Sequence, residues 1–382
     1  MSKLPDVGTT IFTVISQRAA ELGAVNLGQG SPDYPIDPRL TELVAEAMHA
    51  GHNQYAPMAG LPALREIIAR DVGRRYGQAV DPAQEVTITL GATEAIFSAI
   101  AALVGPGDEV LVFDPAYDSY DPAARVAGAA CVHIPLAPPG FEYDWDRVRA
   151  AITPRTRLIV VNSPHNPACT VLGAQDMAQL GQLAAAHDLI VVSDEVYEHI
   201  VYPPARHHSV LSHPALRQRS LAVFSFGKSL HATGMRVGYC IAPPALTGEL
   251  RKVHQFNTFS IATAFQHAIA QYLQEQPAVL DGLAEFFARK RALLAAGLAG
   301  SAFAVLPAAG SYFTLLDYSR CPVLAGLDDM AAASRLLEQG GVASIPLTPF
   351  YRVPVPHTLL RLCFAKQEAT LERGIERLRA LG

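Results

Sequence analysis

The sequence predicts an α/β protein whose central sheet is mostly parallel. Short apolar runs alternate with Ala-rich helical segments such as Glu94–Val104 and Ala174–His187, and this alternation is typical of parallel strands joined by crossover helices. Strands that are covered on both faces are hydrophobic along their whole length. Five runs of this kind occur, at residues 86–90, 109–113, 158–162, 189–193 and 221–226.

The length of 382 residues exceeds one ordinary hydrophobic core, so we expect more than one domain. Residues 1–35 are interrupted by Gly and Pro and are expected to form an N-terminal arm that joins a smaller domain. Residues 36–280 are expected to form the large α/β domain, and residues 281–382 the small α+β domain. Further helices are predicted at Pro38–Ala50, Leu61–Tyr76, 244–275 and 277–298, with a further strand at 237–242.

The composition argues against several classes of function. The net charge of −5 provides no basic surface for nucleic acid or an anionic membrane. The 5 cysteines are scattered and form no C-x-x-C pair, which favours reduced thiols over disulfides or a metal site. The first apolar run, Ile11–Ile15, is too short for a signal peptide core or a membrane span. We therefore expect a cytoplasmic protein that acts on small molecules and holds no metal.

Glycine and polar residues follow the five predicted strands at the points where the strands end. In an open α/β sheet, ligands bind beyond the carboxyl ends of the strands. We therefore expect these residues to line one crevice and to offer it a glycine turn, an aromatic ring, an amide, a carboxylate and an amine. In chain order the strand ends carry Gly91-Ala92-Thr93, Asp114 with Tyr117, Asn162 with Asn166, Asp194 with Tyr197, and Lys228. This set suits pyridoxal 5′-phosphate (PLP).

The phosphate of PLP carries about two negative charges. A glycine turn that opens a helix offers free backbone N–H groups and the positive end of the helix dipole. Gly91, Ala92 and Thr93 are therefore the predicted phosphate site. Ser225 and Arg236 flank the candidate lysine in the sequence and are expected to complete the site, with the guanidinium binding the phosphate through two hydrogen bonds.

The remaining residues match the ring and the aldehyde of PLP. A buried carboxylate beside the pyridine nitrogen keeps that nitrogen protonated, and Asp194 is the candidate. Tyr197 and Asn166 would donate hydrogen bonds to the phenolic oxygen, and Tyr117 offers a flat face for stacking. Lys228 would hold the cofactor covalently and then move protons, because burial and nearby positive charge lower the pKa of its amine.

Each of these residues has a simpler explanation when it is taken alone. A lysine after a strand is usually a solvated surface residue, and an aspartate there is more often a helix cap. The glycine turn would serve as an ordinary connection, the two tyrosines as core residues, and Arg236 as an ion-pair partner. The PLP interpretation depends on the joint occurrence of these residues at consecutive strand ends.

The same residues lie in motifs that resemble those of class I/II aminotransferases of fold type I. The candidate lysine lies in FSFGKSLHATGMRVGY (224–239). The other motifs are NLGQGSPDYP (26–35), NQYAPMAGLPALRE (53–66), GATEA (91–95), NSPHNP (162–167) and SDEVY (193–197). Within the family, VASIPLTPFY (342–351) and LLRLCFAKQEATL (359–371) are most similar to kynurenine, glutamine and methionine aminotransferases. The resemblance implies PLP as cofactor and a mostly parallel seven-stranded sheet flanked by helices, next to a small α+β domain.

The resemblance also implies roles that spacing does not assign. Arg361 matches the arginine that binds the substrate α-carboxylate, and Asn166 and Gly30 would also touch the substrate. For Arg361 a structural salt bridge is the alternative. Tyr55 resembles the tyrosine that reaches the cofactor phosphate of the neighbouring subunit, which implies a homodimer with active sites at the interface. The candidates for lining an apolar substrate pocket are Phe12, Phe259, Phe350 and Tyr351, and plain core packing is the alternative for each.

The expected reaction moves the α-amino group of an amino acid to a 2-oxo acid by a ping-pong mechanism. The resemblance implies large uncharged donors, namely methionine, aromatic amino acids, glutamine or kynurenine. No motif places a second arginine for an acidic side chain, which disfavours aspartate as donor. β-Elimination of cysteine S-conjugates on the same scaffold is one alternative. A non-catalytic effector module of a transcription regulator is the other, and it would need a basic helix-turn-helix that the sequence does not show.

Overall fold

The computed structural model describes residues 2–382, which contain three sheets. The strands are β1 (Val25–Asn26), β2 (Val86–Thr89), β3 (Glu109–Asp114), β4 (Ala130–Pro135), β5 (Thr156–Asn162), β6 (Ile190–Asp194), β7 (Ser220–Ser225), β8 (Gly238–Ile241), β9 (Ala304–Val305), β10 (Phe313–Asp317), β11 (Val342–Ala343), β12 (Ile345–Pro346) and β13 (Leu359–Cys363).

The α-helices lie between these strands and at both ends of the described chain. They are α1 (Ile11–Glu21), α2 (Pro38–His49), α3 (Pro62–Tyr76), α4 (Gly91–Leu103), α5 (Tyr120–Ala127), α6 (Trp145–Ala151), α7 (Ala174–Ala186), α8 (Pro214–Arg217), α9 (Phe226–Ser229), α10 (Pro244–Asn257), α11 (Thr263–Glu275), α12 (Leu283–Leu298), α13 (Asp329–Gly340) and α14 (Glu368–Arg379). Short 3₁₀ turns occur at Val210–Ser212, Thr233–Met235 and Thr348–Phe350.

The predicted α/β fold with a mostly parallel sheet of seven strands is confirmed. The strand order is β2-β8-β7-β6-β5-β3-β4, and β3 to β7 pair in parallel. Only β8 of this sheet runs in the opposite direction, antiparallel to β2 and β7. The connection 226–237 contains only the single-turn helix α9 and a 3₁₀ turn. It lacks the long crossover helix that usually returns the chain to the starting end of a strand for parallel pairing.

Two parts of the large sheet region differ from the sequence prediction. Strand β4 is not predicted, because its sequence ACVHIP lies half-exposed at the sheet edge and lacks a continuous hydrophobic run. The stretch 244–275 is not one helix but two, α10 and α11. Phe259, between them, has a φ of 68°, and this left-handed conformation does not fit into a continuous α-helix.

The smaller sheets lie in the C-terminal part of the chain and on the N-terminal arm. Strands β12-β13-β10-β9 form an antiparallel sheet, and β1 pairs in parallel with β11, with Val25 opposite Val342. The arm thus contacts the C-terminal segment. The division at residues 35/36 and 280/281 stays a prediction. Within residues 2–382, no helix combines the length and the apolar character needed to cross a membrane.

Candidate active site

A cavity of about 220 Å³ lies at the carboxyl ends of β5, β6 and β7. Asn162 and Asp194 end β5 and β6 and pair with each other in register, and Ser225 ends β7. Because these strands are parallel neighbours, their ends open into the same crevice. The lining residues are Phe12, Gln29, Gly30, Ala92, Thr93, Ile96, Tyr117, Asn162, Asn166, Asp194, Val196, Tyr197, Ser225, Lys228, Arg236, Phe313 and Arg361.

Lys228 follows β7 directly and reaches into the cavity from the short helix α9. Its Nζ lies 3.4 Å from the carbonyl oxygen of Gly30. The same atom lies 5.8 Å and 5.7 Å from the ring centres of Tyr197 and Tyr312. Burial among these groups lowers the pKa of Lys228 to about 8, since a low-dielectric environment disfavours the charged amine. A substantial neutral fraction near neutral pH makes this amine a competent nucleophile.

This lowered pKa predicts how covalent capture of PLP depends on pH. We expect the rate of capture by the apoprotein to rise from pH 7 and to level off above about pH 8, because the neutral amine is the reacting form. An unperturbed lysine, with a pKa of about 10.4, would give a rate that still rises steeply at pH 9. Stopped-flow absorbance of added PLP measures this rate. A rise that continues to pH 10 would contradict the buried environment of Lys228.

Asp194 ends β6 with its carboxylate inside the cavity. Its Oδ2 accepts a hydrogen bond from the hydroxyl of Tyr120 at 2.6 Å, and the amide of Asn162 donates to its backbone carbonyl at 2.9 Å. Burial raises the pKa of Asp194 to about 6, since no cationic side chain within residues 2–382 forms a salt bridge with it. A protonated heterocyclic nitrogen beside this carboxylate would restore the ionised form and would itself be held in the protonated state.

The first turn of α4 provides backbone donors at the cavity wall. Gly91 opens the helix with a φ of 68°, and no side chain caps the helix start. A Cβ on Gly91 would lie 2.9 Å from Nη2 of Arg236, and one on Gly238 would lie 2.9 Å from the backbone nitrogen of Ala92. The two glycines therefore let the guanidinium and strand β8 approach the turn closely. Free N–H groups, a helix dipole and a guanidinium together suit a phosphate.

Arg361 lies on β13 and is 1% exposed. Nη1 donates to Oδ1 of Asn166 at 2.6 Å, and Nη2 donates to the carbonyl of Gly28 at 2.8 Å. The guanidinium lies 4.0 Å from the ring centre of Phe313, while its buried Nε has no hydrogen-bond partner. Within residues 2–382 no carboxylate lies within 4 Å of Arg361, so the structure gives no support to the structural salt bridge considered above. A buried cation without an acidic partner is suited to an anionic ligand.

The predicted cofactor- and substrate-binding residues that line the cavity are Phe12, Gly30, Ala92, Thr93, Tyr117, Asn166, Asp194, Tyr197, Ser225, Lys228, Arg236 and Arg361. Gly91 and Tyr55 do not line it. Gly91 lies behind Arg236, as described above. Tyr55 is 82% exposed and contacts Phe259 edge-on, with ring centres 5.2 Å apart. Its expected role toward a neighbouring subunit is compatible with this position and stays a prediction.

Of the four aromatic candidates for an apolar substrate pocket, three do not line this cavity within the part of the chain that the structure describes. Only Phe12 lines the cavity. Phe350 packs behind Phe12 with ring centres 5.4 Å apart, and the hydroxyl of Tyr351 donates to the carbonyl of Leu136. Phe259 lies half-exposed beside Tyr55. Phe350 and Tyr351 are buried, in agreement with the core-packing alternative, whereas a pocket role for Phe259 stays a prediction.

Several residues of the site do not emerge from the sequence. Tyr120 holds Asp194, and its position three residues after Tyr117 is the only sequence signal for it. Phe313 and Ile96 provide apolar wall, and they resemble ordinary buried residues of a strand and a helix. Gln29 also lines the cavity, and its Oε1 accepts a hydrogen bond from the hydroxyl of Ser16 at 2.9 Å. These contacts join segments that are far apart in the chain.

The donor set of the cavity fits PLP. The turn of α4 with Arg236 suits the phosphate, the carboxylate of Asp194 suits a protonated ring nitrogen, and the amine of Lys228 suits the aldehyde. All three lie around one cavity, as the sequence interpretation requires. A fold of this topology with such a site defines a PLP-dependent transferase of the α/β class.

Comparison with known proteins identifies the family. The model of aminotransferase class I and II matches residues 23–378, so the chain belongs to this family. It is a PLP-dependent enzyme that moves an amino group between an amino acid and a 2-oxo acid. This result sets aside the non-catalytic effector module.

Individual relatives cover nearly the whole chain. Methionine aminotransferase of Escherichia coli (strain K12) is 48% identical over 380 residues, covering 100% of this chain and 98% of that protein. Kynurenine–oxoglutarate transaminase 1 of Homo sapiens is 32% identical over 392 residues, covering 94% and 93%. An E. coli crystal structure identified with a methionine aminotransferase function superimposes with a TM-score of 0.97 at 48% identity, covering 100% of this chain and 99% of that one. The structure of N-succinyldiaminopimelate aminotransferase from Mycobacterium tuberculosis superimposes with a TM-score of 0.95 at 38% identity, covering 100% of both chains.

Proposed function

We propose that this enzyme takes the α-amino group from a large uncharged amino acid, of the methionine, aromatic, glutamine or kynurenine type. The observation that carries this proposal is the buried guanidinium of Arg361, which lines the cavity and has no acidic partner within residues 2–382. A substrate α-carboxylate would supply the missing charge through a two-point pairing. The methionine aminotransferase of E. coli, at 48% identity, supports the same donor class.

The side-chain specificity follows from which charges line the cavity. Its lining cations are Lys228, Arg236 and Arg361, and each has a proposed role toward the cofactor or the α-carboxylate. An acidic substrate side chain would therefore remain unpaired in a buried place, which is costly. Apolar walls from Phe12, Ile96, Val196 and Phe313 suit an uncharged side chain instead.

The roles of the chain's own residues follow from their positions. Arg361 and Asn166 orient the amino acid by its carboxylate. When bound, PLP supplies an aldehyde that links to amines and a ring that withdraws electrons from the α-carbon. Asp194 would keep the ring nitrogen of the cofactor protonated, and Tyr197 would donate a hydrogen bond to its phenolic oxygen. Lys228 accepts the α-proton of the amino acid, for which an amine of pKa about 8 is well matched to neutral pH.

A panel of amino donors tests the proposed substrate class. With a fixed 2-oxo acid, we expect kcat/KM for methionine or phenylalanine to exceed that for aspartate by at least about 30-fold, the equivalent of about 2 kcal/mol for an unpaired buried carboxylate. Absorbance of the bound cofactor and release of the new oxo acid measure the rate. A cysteine S-conjugate in the same panel separates pyruvate release from amino transfer. Aspartate as the preferred donor would refute the proposal.

We further propose that the enzyme works as a homodimer in which Tyr55 completes the phosphate site of the neighbouring subunit. Tyr55 and Phe256 are 82% and 87% exposed, respectively. Such large exposed aromatics are typical of interaction surfaces. Arg236 is also exposed at the mouth of the cavity, so the phosphate end is accessible to a second chain.

Tyr55→Phe tests this second proposal. Loss of one hydrogen bond to a charged phosphate is expected to weaken PLP binding by about 10-fold, since such bonds contribute about 1.5 kcal/mol or more. Equilibrium dialysis of PLP measures the affinity, and sedimentation velocity verifies that the variant keeps the assembly of the wild type. An unchanged PLP affinity in an intact dimer, or a monomeric wild type with full activity, would contradict the proposal.

A further inference from the structure

A second groove, separate from the active-site cavity, lies behind the loop 28–31. Its volume is about 540 Å³, and it is bounded by the segment after α1, by this loop and by one face of α14. We call it the rear groove. Its lining residues are Gly23, Ala24, Val25, Asn26, Gln29, Ser31, Pro32, Asp33, Lys366, Thr370, Arg373 and Arg377.

Three cations line the rear groove, and none of them forms a salt bridge within the described chain. Lys366 is 4% exposed, yet within residues 2–382 no carboxylate lies within 4 Å of its ammonium or of the guanidinium groups of Arg373 and Arg377. Arg377 donates to the carbonyl of Gly341 at 2.7 Å, and Arg373 has only a 3.5 Å contact with Thr370. The side chains at 370, 373 and 377 share one face of α14. The result is a concave surface with an excess of positive charge, which attracts anions.

Asp33 is the one acidic residue that lines the groove. Its Oδ1 already accepts a hydrogen bond from the backbone N–H of Gln367 at 2.5 Å. One carboxylate leaves two of the three positive charges uncompensated. The groove therefore suits a ligand that carries at least two negative charges and presents several acceptor oxygens.

The loop 28–31 connects the rear groove to the active site through its carbonyl groups. Gly28 and Gly30 point their carbonyls to the active site, where they accept hydrogen bonds from Arg361 at 2.8 Å and from the hydroxyl of Tyr312 at 2.7 Å. The carbonyls of Gln29 and Ser31 accept from Nζ of Lys366 at 3.2 Å and 2.7 Å. Gln29 lines both cavities. The ammonium of Lys366 thus holds the segment that also holds Arg361.

We propose that the rear groove binds a small polyanion, such as a phosphate ester or a di- or tricarboxylate, and that its binding lowers the affinity of the active site for the amino-acid substrate. A polyanion competes with the Gln29 and Ser31 carbonyls for the ammonium of Lys366. The loop then loses its support, and with it the carbonyl of Gly28 that orients Arg361. By thermodynamic linkage, the amino acid weakens polyanion binding by the same factor.

The test uses the PLP-loaded enzyme with two probes, inorganic pyrophosphate and citrate, at constant ionic strength. Calorimetry measures binding without any turnover, so its result does not depend on the proposed donor class. We expect saturable binding that weakens by about 10-fold in Arg373→Gln, which removes one charge-assisted contact. Arg70→Gln is the matched control, because Arg70 is also an exposed helical arginine but lies on α3, outside the groove. Binding of only one probe identifies the phosphate or the carboxylate as the recognised group.

The coupling is tested by the KM of the amino donor. At a saturating probe concentration we expect KM to rise by about 5-fold in the wild type and in Arg70→Gln. If citrate competed with the substrate at Arg361 of the active site, it would raise the KM of Arg373→Gln as much as that of the wild type. A smaller rise in Arg373→Gln indicates that citrate acts from the rear groove. Lys366→Met is expected to bind no probe and to have a raised KM without any anion. The absence of saturable binding, or equal binding by Arg373→Gln and the wild type, would refute the proposed anion site. Saturable binding with an unchanged KM would refute the proposed coupling to the active site.

Discussion

Lys228→Ala is expected to lower kcat by about 10⁴-fold or more and to end multiple turnover. A positioned acid or base alone contributes about 10²- to 10⁴-fold, and the role predicted for Lys228 also includes covalent attachment of the cofactor. It is the only lysine among the residues that line the cavity, so within residues 2–382 no other amine there is able to replace it. Loss of the visible absorbance of the covalently held cofactor should accompany the loss of turnover.

The control for this variant is Lys252→Ala, since Lys252 is a lysine whose side chain is 67% exposed and which pairs with Glu249 on α10. Its replacement should leave kcat and the cofactor spectrum unchanged. Equilibrium binding of PLP separates a catalytic role from simple misfolding, because Lys228→Ala should still bind PLP through the phosphate site. Wild-type turnover by Lys228→Ala would exclude Lys228 as the attachment residue.

Arg361→Leu is expected to lower kcat/KM for amino acids by about 10²- to 10³-fold. Removing one partner of a buried, hydrogen-bonded charge pair costs about 2–5 kcal/mol, and the substrate carboxylate would lose a two-point pairing. Most of the change should appear in KM, because the carboxylate is held both before and during proton transfer at the α-carbon. Initial rates over a range of donor concentrations give both constants.

Two comparisons distinguish loss of carboxylate binding from loss of structure. Arg361→Lys keeps the positive charge but lacks the planar guanidinium that donates to Asn166 and Gly28. Its kcat/KM should therefore fall between the values of the wild type and Arg361→Leu. An amine substrate without the α-carboxylate should react poorly with the wild type and about equally poorly with Arg361→Leu. If Arg361→Leu lowered the rate of this amine as strongly as that of the amino acid, the carboxylate role would be wrong.

The sequence determined the class of this protein. Continuous hydrophobic runs separated by helical segments predict a parallel sheet, because strands that are buried on both faces need apolar residues along their whole length. Since ligands bind at the strand ends of such a sheet, the residues directly after each run are the ones predicted to bind the cofactor. Asp194, Asn166 and Lys228 follow from this reasoning, since each lies within a few residues of a strand end.

The tertiary structure decided which distant segments meet and how each side chain is satisfied. The arm residue Phe12, the loop 28–31 and Arg361 of β13 come together only through the pairing of β1 with β11 and the packing of the small sheet. Local periodicity carries no information about such contacts, since they join parts of the chain that are hundreds of residues apart. The same limit applies to the hydrogen bond between Tyr120 and Asp194 and to the absence of an acidic partner for Arg361 within residues 2–382. The sequence gives the type and charge of each residue. Burial and pairing arise only when the chain folds, and they lower the pKa of Lys228 and leave Arg361 without an acidic partner within residues 2–382.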